Sequence, residues 1–283
     1  LHLWREPERI LSLAGVAAFG RTEMDMEELF SVQRSYLYRT YPQARLVTLT
    51  IPGVVDISST ELREQLARGE GGTLLAPAVY GCILREGLYG TTADLKSLPL
   101  ERLRPVALSC LHHRRIPHVL GTEQEAIHLA ERWGADVDKA RRAALLHDCT
   151  KKLSLPEQLA AAERFQVPLD GMERQELKLL HAKTGAGIAE TVFGTDAEIT
   201  NAIRWHTTGR AHMTLLEKVI YLADYIEPTR SFPGVEALRK ACYEDLDAGL
   251  LLGLEMTIQE MEARGAPIHP KTLEARDALK GQR

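Results

Sequence analysis

The stretch richest in chemistry is Ala143-Ala144-Leu145-Leu146-His147-Asp148-Cys149-Thr150-Lys151. Small and apolar residues lead to an adjacent imidazole and carboxylate, and a lysine follows. On a helix whose apolar positions pack inward, His147 and Asp148 are carried toward the interior, where both are costly unless something binds them. A divalent metal answers that cost, because neutral imidazole nitrogen and carboxylate oxygen together suit Zn, Fe or Mn. Lys151 lies one turn on and shares their face, placed to hold a phosphate oxygen beside the metal.

Other segments carry related residue types. Upstream is Arg115-Ile116-Pro117-His118, and downstream are Leu179-Leu180-His181-Ala182-Lys183 and Arg204-Trp205-His206-Thr207-Thr208-Gly209-Arg210. The series ends at Tyr221-Leu222-Ala223-Asp224-Tyr225-Ile226-Glu227-Pro228. In order H…HD…H…H…D, these segments resemble the HD-domain metal-dependent phosphohydrolases. LLHDCTK, LLHAKTGA, RWHTTGR, YLADYIEPTR and FPGVEALR are similar to the YqeK-type subgroup, from about Leu103 to the C-terminus. That resemblance implies an all-helical domain and symmetrical hydrolysis of diadenosine tetraphosphate to two ADP.

Within this frame His118, His147, Asp148 and Asp224 form one metal site, with water in the open positions. His181 and His206 suggest a second metal, with Asp148 as the bridge. Two cations about 3.5–4 Å apart suit phosphoanhydride hydrolysis by metal-activated water, and no side-chain nucleophile is needed. The mixed donors favour Fe or Mn, with Zn or Co also compatible; the resemblance implies iron. Asp148 and Lys151 are the expected catalytic pair. Lys151, Lys183, Thr207, Thr208, Gly209, Arg210 and Arg230 are the expected phosphate contacts, since a glycine in a turn admits close anion approach and arginine grips phosphate as a fork. His2, His112, His113, His128, His212 and His269 read as ordinary core or surface histidines.

Composition narrows the class. The chain has 283 residues, a net charge of −4 and four scattered cysteines without CxxC spacing. A small-molecule nucleotide is the expected partner; no large basic surface points to nucleic acid, and no apolar run is long enough to span a membrane. The cysteines read as reduced, in a cytoplasmic protein. A homodimer is compatible with all of this.

Residues 104–283 read as almost wholly helical. His118 falls near the start of a helix ending at Trp133, and His147 and Asp148 lie within a helix over 137–152. His206 ends a helix begun at Ala197, Asp224 sits in a helix over 215–226, and 235–264 supplies one or two closing helices. Residues 91–103 fit a linker.

Residues 1–90 have an α/β texture: a strand over 15–19, a helix over 24–41, a strand over 44–55, and a helix from Glu61 capped by Asp56–Thr60. WREPERI, DISSTELR and LLAPAVYGCILREGLYG resemble the C-terminal part of nicotinate-nucleotide adenylyltransferase, a partial Rossmann-like domain. The resemblance implies an ATP-binding remnant at Ser58, Ser59, Thr60 and Arg63. That family's GxFDPxHxGH loop is absent from these residues, so adenylyl transfer is not expected from them. The chain begins at Leu1 within what reads as a domain interior, so an incomplete N-terminus is expected. The runner-up function is an adenylyltransferase fusion fragment of NAD biosynthesis whose HD half takes another nucleotide.

Overall fold

A computed structural model describes residues 4–20, 26–49, 55 and 57–281. Packing divides the chain into two compact units, Leu1–Gln65 and Leu66–Arg283.

In the first unit come α1 (Pro7–Leu13), β1 (Val16–Phe19), α2 (Met26–Thr40), β2 (Leu46–Leu49) and the start of α3 (Ser59–Ala67). The two strands pair in parallel, with Val16 opposite Leu46 and Phe19 opposite Leu49. Leu11, Leu37, Ala44 and Leu46 make a small core. The strand expected over 44–55 is described only at Leu46–Leu49, and Asp56 lies outside the described residues. Ser58 caps α3: its Oγ accepts from the Glu61 amide at 3.1 Å while Glu61 Oε2 accepts from the Ser58 amide at 3.5 Å, the reciprocal capping box.

The second unit is all helical. Its elements are α4 (Pro77–Glu86), α5 (Leu100–Ser109), α6 (Ile116–Trp133), α7 (Val137–Leu146), α8 (Leu155–Arg164), α9 (Leu177–Thr191), α10 (Ala197–Trp205), α11 (Leu215–Ile226), α12 (Val235–Glu244), α13 (Leu246–Ala263) and α14 (Pro270–Lys280). With the two strands as the sole sheet among the described residues, the chain is mainly α. Helix α6 packs on α7 and α11, and α10 packs on α7, α9 and α11. Val119, Leu129, Leu145, Leu146, Ile203, Ile220 and Leu222 are fully buried between them.

Residues 91–103, expected as a linker, instead enter this core: Leu98, Leu100 and Leu103 are buried, and Leu100 opens α5. Helix α4 lies flush against α5, so close that a Cβ on Gly81 would come within 1.8 Å of the Pro105 carbonyl oxygen. The compact unit therefore starts well before residue 91. The closing segment is two helices because Asp245 (φ −152°) breaks the run and caps α13, accepting from the Ala248 amide at 2.9 Å.

Caps also set where the site-bearing helix ends fall. Asp136 caps α7 by accepting from the Lys139 amide at 3.0 Å, and Asp196 caps α10 by accepting from the Ile199 amide at 3.0 Å. Thr214 and Glu217 form a capping box at the start of α11. Each cap fixes the first turn, and the apolar face of each helix fixes its rotation. Among the described residues no helix is long and apolar enough to cross a membrane.

Candidate metal centre

His147 and His206 occupy matching positions, each the residue after its helix, α7 or α10. The last carbonyls of a helix have no intrahelical donor. His147 Nδ1 lies 2.6 Å from the Ala144 carbonyl and His206 Nδ1 lies 2.7 Å from the Ile203 carbonyl. A carbonyl only accepts, so Nδ1–H donates in both rings and the Nε2 lone pairs turn inward. The helix expected to run to Lys152 thus stops at Leu146. Beyond it the chain tightens into three-residue turns: the Cys149 amide donates to Leu146 at 3.1 Å and the Lys151 amide to Asp148 at 2.9 Å. This keeps Asp148 and Lys151 on one face although the helix has ended.

His118 lies in the first turn of α6, which Pro117 starts, and His181 in the second turn of α9. Asp224 projects from the last turn of α11. The structure brings all six side chains together. Asp148 stands in the middle and uses its two oxygens separately. Oδ2 faces His147 Nε2 at 3.6 Å and His118 Nε2 at 3.8 Å. Oδ1 faces His181 Nε2 at 3.1 Å and His206 Nε2 at 3.9 Å. Asp224 Oδ1 lies 3.0 Å from His118 Nε2 and 3.8 Å from His147 Nε2. The groupings His118–His147–Asp148, His147–His206–Asp224 and Asp148–His181–His206 each present converging donor atoms.

These residues fit a divalent cation. His118 Nε2, His147 Nε2 and Asp148 Oδ1 are buried without a hydrogen-bond partner, which is costly for a polar atom and is relieved by a metal. The electrostatics agree. Burial lowers the pKa of His147 and His181, and lowers that of His206 well below the ordinary value with help from the neighbouring His181 and His147, so these rings stay neutral. Burial pushes Asp148 up, but His147, His181 and Lys151 outweigh it and hold the carboxyl well below its usual range. Asp224 is held down likewise, against burial, by the adjacent His118, His147 and Arg230. Neutral imidazoles around ionised carboxylates are the protonation states a cation requires.

The centre opens into a cleft of about 1070 Å³, lined among others by Arg115, Lys151, Thr207, Tyr225, Arg230, Phe232 and Met256. Lys151 Nζ lies 2.9 Å from His181 Nε2 and 3.6 Å from Asp148 Oδ1. Arg230 donates through Nη2 to Asp224 Oδ1 at 2.7 Å. The remaining expected phosphate contacts divide. Thr207 lines the cleft, with its buried hydroxyl unpartnered. Thr208 is buried and donates to the Gly209 carbonyl, and Gly209 takes a left-handed φ of 65° that favours glycine. Arg210 points elsewhere, donating from Nε and Nη2 to the buried Glu217 Oε1 at 3.1 and 3.0 Å. Lys183 is buried too, paired with Glu173 at 3.2 Å and seated 3.5 Å over the Trp205 ring. Each answers a buried carboxylate, and neither is among the residues lining the cleft.

Two residues were missed from sequence. Arg115 donates to Asp148 Oδ2 from Nε at 3.0 Å and again through Nη2. Glu227, fully buried, accepts from His118 Nδ1 at 3.0 Å. Arg115 directly precedes the Ile-Pro-His segment and Glu227 follows Asp224 by three residues; only that nearness could have flagged them. Of the histidines set aside, His112 and His113 stack on each other at 4.3 Å, and His128 is half exposed near Glu125. His269 caps α14 and donates to Asp170 at 2.9 Å, and His2 lies outside the described residues. In the first unit Ser58 serves its helix cap, and Ser59, Thr60 and Arg63 are exposed.

Fold and site together define an HD-type metal-dependent phosphohydrolase, and the HD domain family matches residues 115–229. The chain is 41% identical over 175 residues to the symmetrical bis(5'-nucleosyl)-tetraphosphatase of Bacillus subtilis, covering 60% of this chain and 93% of that protein. A crystal structure of a predicted HD superfamily hydrolase involved in NAD metabolism from Clostridium acetobutylicum aligns with a TM-score of 0.63 at 38% identity, covering 66% of this chain and 99% of that one. A Mycoplasma genitalium protein named as a probable nicotinate-nucleotide adenylyltransferase/Ap4A hydrolase is 31% identical over 129 residues, covering 45% of this chain and 36% of that protein. The chain belongs to the family of symmetrical bis(5'-nucleosyl)-tetraphosphatases.

Proposed function

We propose that the chain hydrolyses diadenosine tetraphosphate, or a closely related dinucleoside tetraphosphate, to two nucleoside diphosphates. The observation that carries this reading is Asp148, with one oxygen toward His118 and His147 and the other toward His181 and His206. His118, His147, Asp148 and Asp224 would hold one divalent cation, and Asp148, His181 and His206 a second. The resemblance implies iron. Bound there, such cations supply Lewis acidity, which readies water as a nucleophile near neutral pH and offsets charge on the phosphoryl oxygens.

The chain's own groups do the rest. His147 and His206 keep their Nε2 lone pairs directed inward through their backbone hydrogen bonds. Arg115, Lys151 and Arg230 line the cleft beside Asp148, His181 and Asp224, where they bind non-bridging oxygens of the polyphosphate. Three cations around one centre match a chain of four phosphates better than a single phosphate ester. Water oxygen joins one of the two central phosphorus atoms, the central P–O bond breaks, and the bridging oxygen leaves with the other nucleoside diphosphate. Lys151 sets an N–H donor beside the reacting phosphoryl group, where charge develops in the transition state.

By sequence, residues 1–90 are, on this reading, the C-terminal part of an adenylyltransferase-like domain fused ahead of the hydrolase, with residues 66–90 packed into the helical unit. The Mycoplasma relative, named for both activities, favours that arrangement. Iron-loaded protein given diadenosine tetraphosphate yields ADP as the sole nucleotide product. ATP plus AMP in equal amounts, or no turnover beside active hydrolysis of another nucleotide, overturns the reading.

A further inference from the structure

His118 differs from the other centre histidines on helix ends. It sits at the start of α6 and no backbone carbonyl receives its Nδ1. The partner is Glu227, at 3.0 Å through Oε1. A buried carboxylate needs donors, and Glu227 has them: Oε1 also accepts from the Thr229 hydroxyl at 2.6 Å, and Oε2 accepts from the Thr229 amide at 2.7 Å. Thr229 thus fixes the rotation of the carboxylate. The loop is fixed in turn by Arg239, whose Nη2 donates to the Glu227 and Arg230 carbonyls at 2.9 and 3.1 Å.

The carboxylate reaches His118 by passing over Gly121, one turn along the same face of α6. A Cβ on Gly121 would come within 2.5 Å of Glu227 Oε2. A side chain there would force Oε2 to move, and with it the carboxylate whose other oxygen meets His118.

We infer that Glu227 is a positioning residue for the metal centre: it holds the His118 proton on Nδ1 and so presents the Nε2 lone pair to the cation, and Gly121 is glycine to let it do so. The inference rests on the metal-centre reading above. Glu227 touches neither substrate nor metal and acts through His118. A carboxylate behind a ligating imidazole fixes its tautomer and raises its basicity, typically with a 10–100-fold effect on metal affinity.

Zinc, being diamagnetic, is the probe. Metal-stripped protein is titrated with Zn²⁺ against a chelator. Glu227→Ala and Gly121→Ala each weaken zinc binding about 10–100-fold. The double variant loses no more than the weaker-binding single variant, because both changes act through one hydrogen bond. Glu227→Gln, which retains an acceptor oxygen, falls between wild type and Glu227→Ala. Nitrogen-15 NMR of the zinc-loaded wild type shows the His118 proton on Nδ1. Should Glu227→Ala fail to fold, Gly121→Ala and Glu227→Gln carry the comparison. Wild-type zinc affinity in folded variants, additive losses in the double variant, or a proton on Nε2 overturns the proposal alone. Wild-type protein that takes up no zinc overturns the metal-centre reading and the proposal with it.

Discussion

The Nε2 atoms of His181 and His206 face each other at 3.1 Å inside the protein. With Nδ1 of His206 donating to a backbone carbonyl, its Nε2 offers a lone pair, and a cation is what gathers such pairs without repulsion. The same burial makes proton uptake unfavourable in the folded chain. His147, His181 and His206 all have lowered pKa values, with burial the largest cause. On unfolding each returns to about 6.5, so below that pH the unfolded state binds more protons and stability falls as pH falls. Asp148 and Asp224, held well below 3.8, lose their contribution only at much lower pH. Metal-free protein is therefore expected to show a lower Tm at pH 5.5 than at pH 7.5 by thermal unfolding, with a smaller drop in His206→Gln. A Tm that rises on acidification contradicts this.

Asp148→Ala removes the residue common to both sides of the centre. Metal content and hydrolysis are expected to fall by more than the roughly 10–100-fold that outer partners cost, while far-ultraviolet circular dichroism stays helical. His128→Ala, on a half-exposed ring away from the centre, changes neither. Metal loss in that variant would overturn the ligand assignment.

Arg230 and Arg210 look alike in sequence but face different tasks. Arg230 lines the cleft and donates to Asp224, so Arg230→Ala is expected to raise KM for the tetraphosphate, with a smaller fall in Tm than Arg210→Ala because Asp224 keeps His118 beside it. Arg210 is spent on buried Glu217, so Arg210→Ala is expected to cost up to about 3 kcal/mol of stability by stranding that carboxylate, with KM unchanged in the folded fraction. Steady-state kinetics beside thermal melts separate the two.

Lys151→Met keeps the stem and removes the ammonium beside Asp148 and His181. A kcat loss of about 10²–10³ is expected, as for other groups that stabilise transition-state charge. A change confined to KM would make Lys151 a binding residue only.

How much of this was legible in the chain depends on where each signal resides. His147 and Asp148 stood out because polar, ionisable side chains end an Ala-Leu run, which declares their burial locally. The end of α7 at Leu146 did not, because His147 itself takes the terminal carbonyl that would otherwise continue the helix. Lys183 and Arg210 sit beside site histidines, and nothing nearby shows that Glu173 and Glu217 claim them. Glu227 meets His118 from 109 positions away, a pairing that only the fold creates. The expectation of a linker at 91–103 followed its Gly, Thr and Pro content, whereas Leu98, Leu100 and Leu103 join a core assembled from helices much later in sequence.

Anomalous diffraction at the iron edge from crystals of the iron-loaded protein tests the central claim most directly. Two peaks about 3.5–4 Å apart, one between His118, His147 and Asp224, the other between His181 and His206, with Asp148 reaching both, are the predicted result. Iron bound elsewhere, or a loaded centre from which Asp148 is turned away, would contradict it.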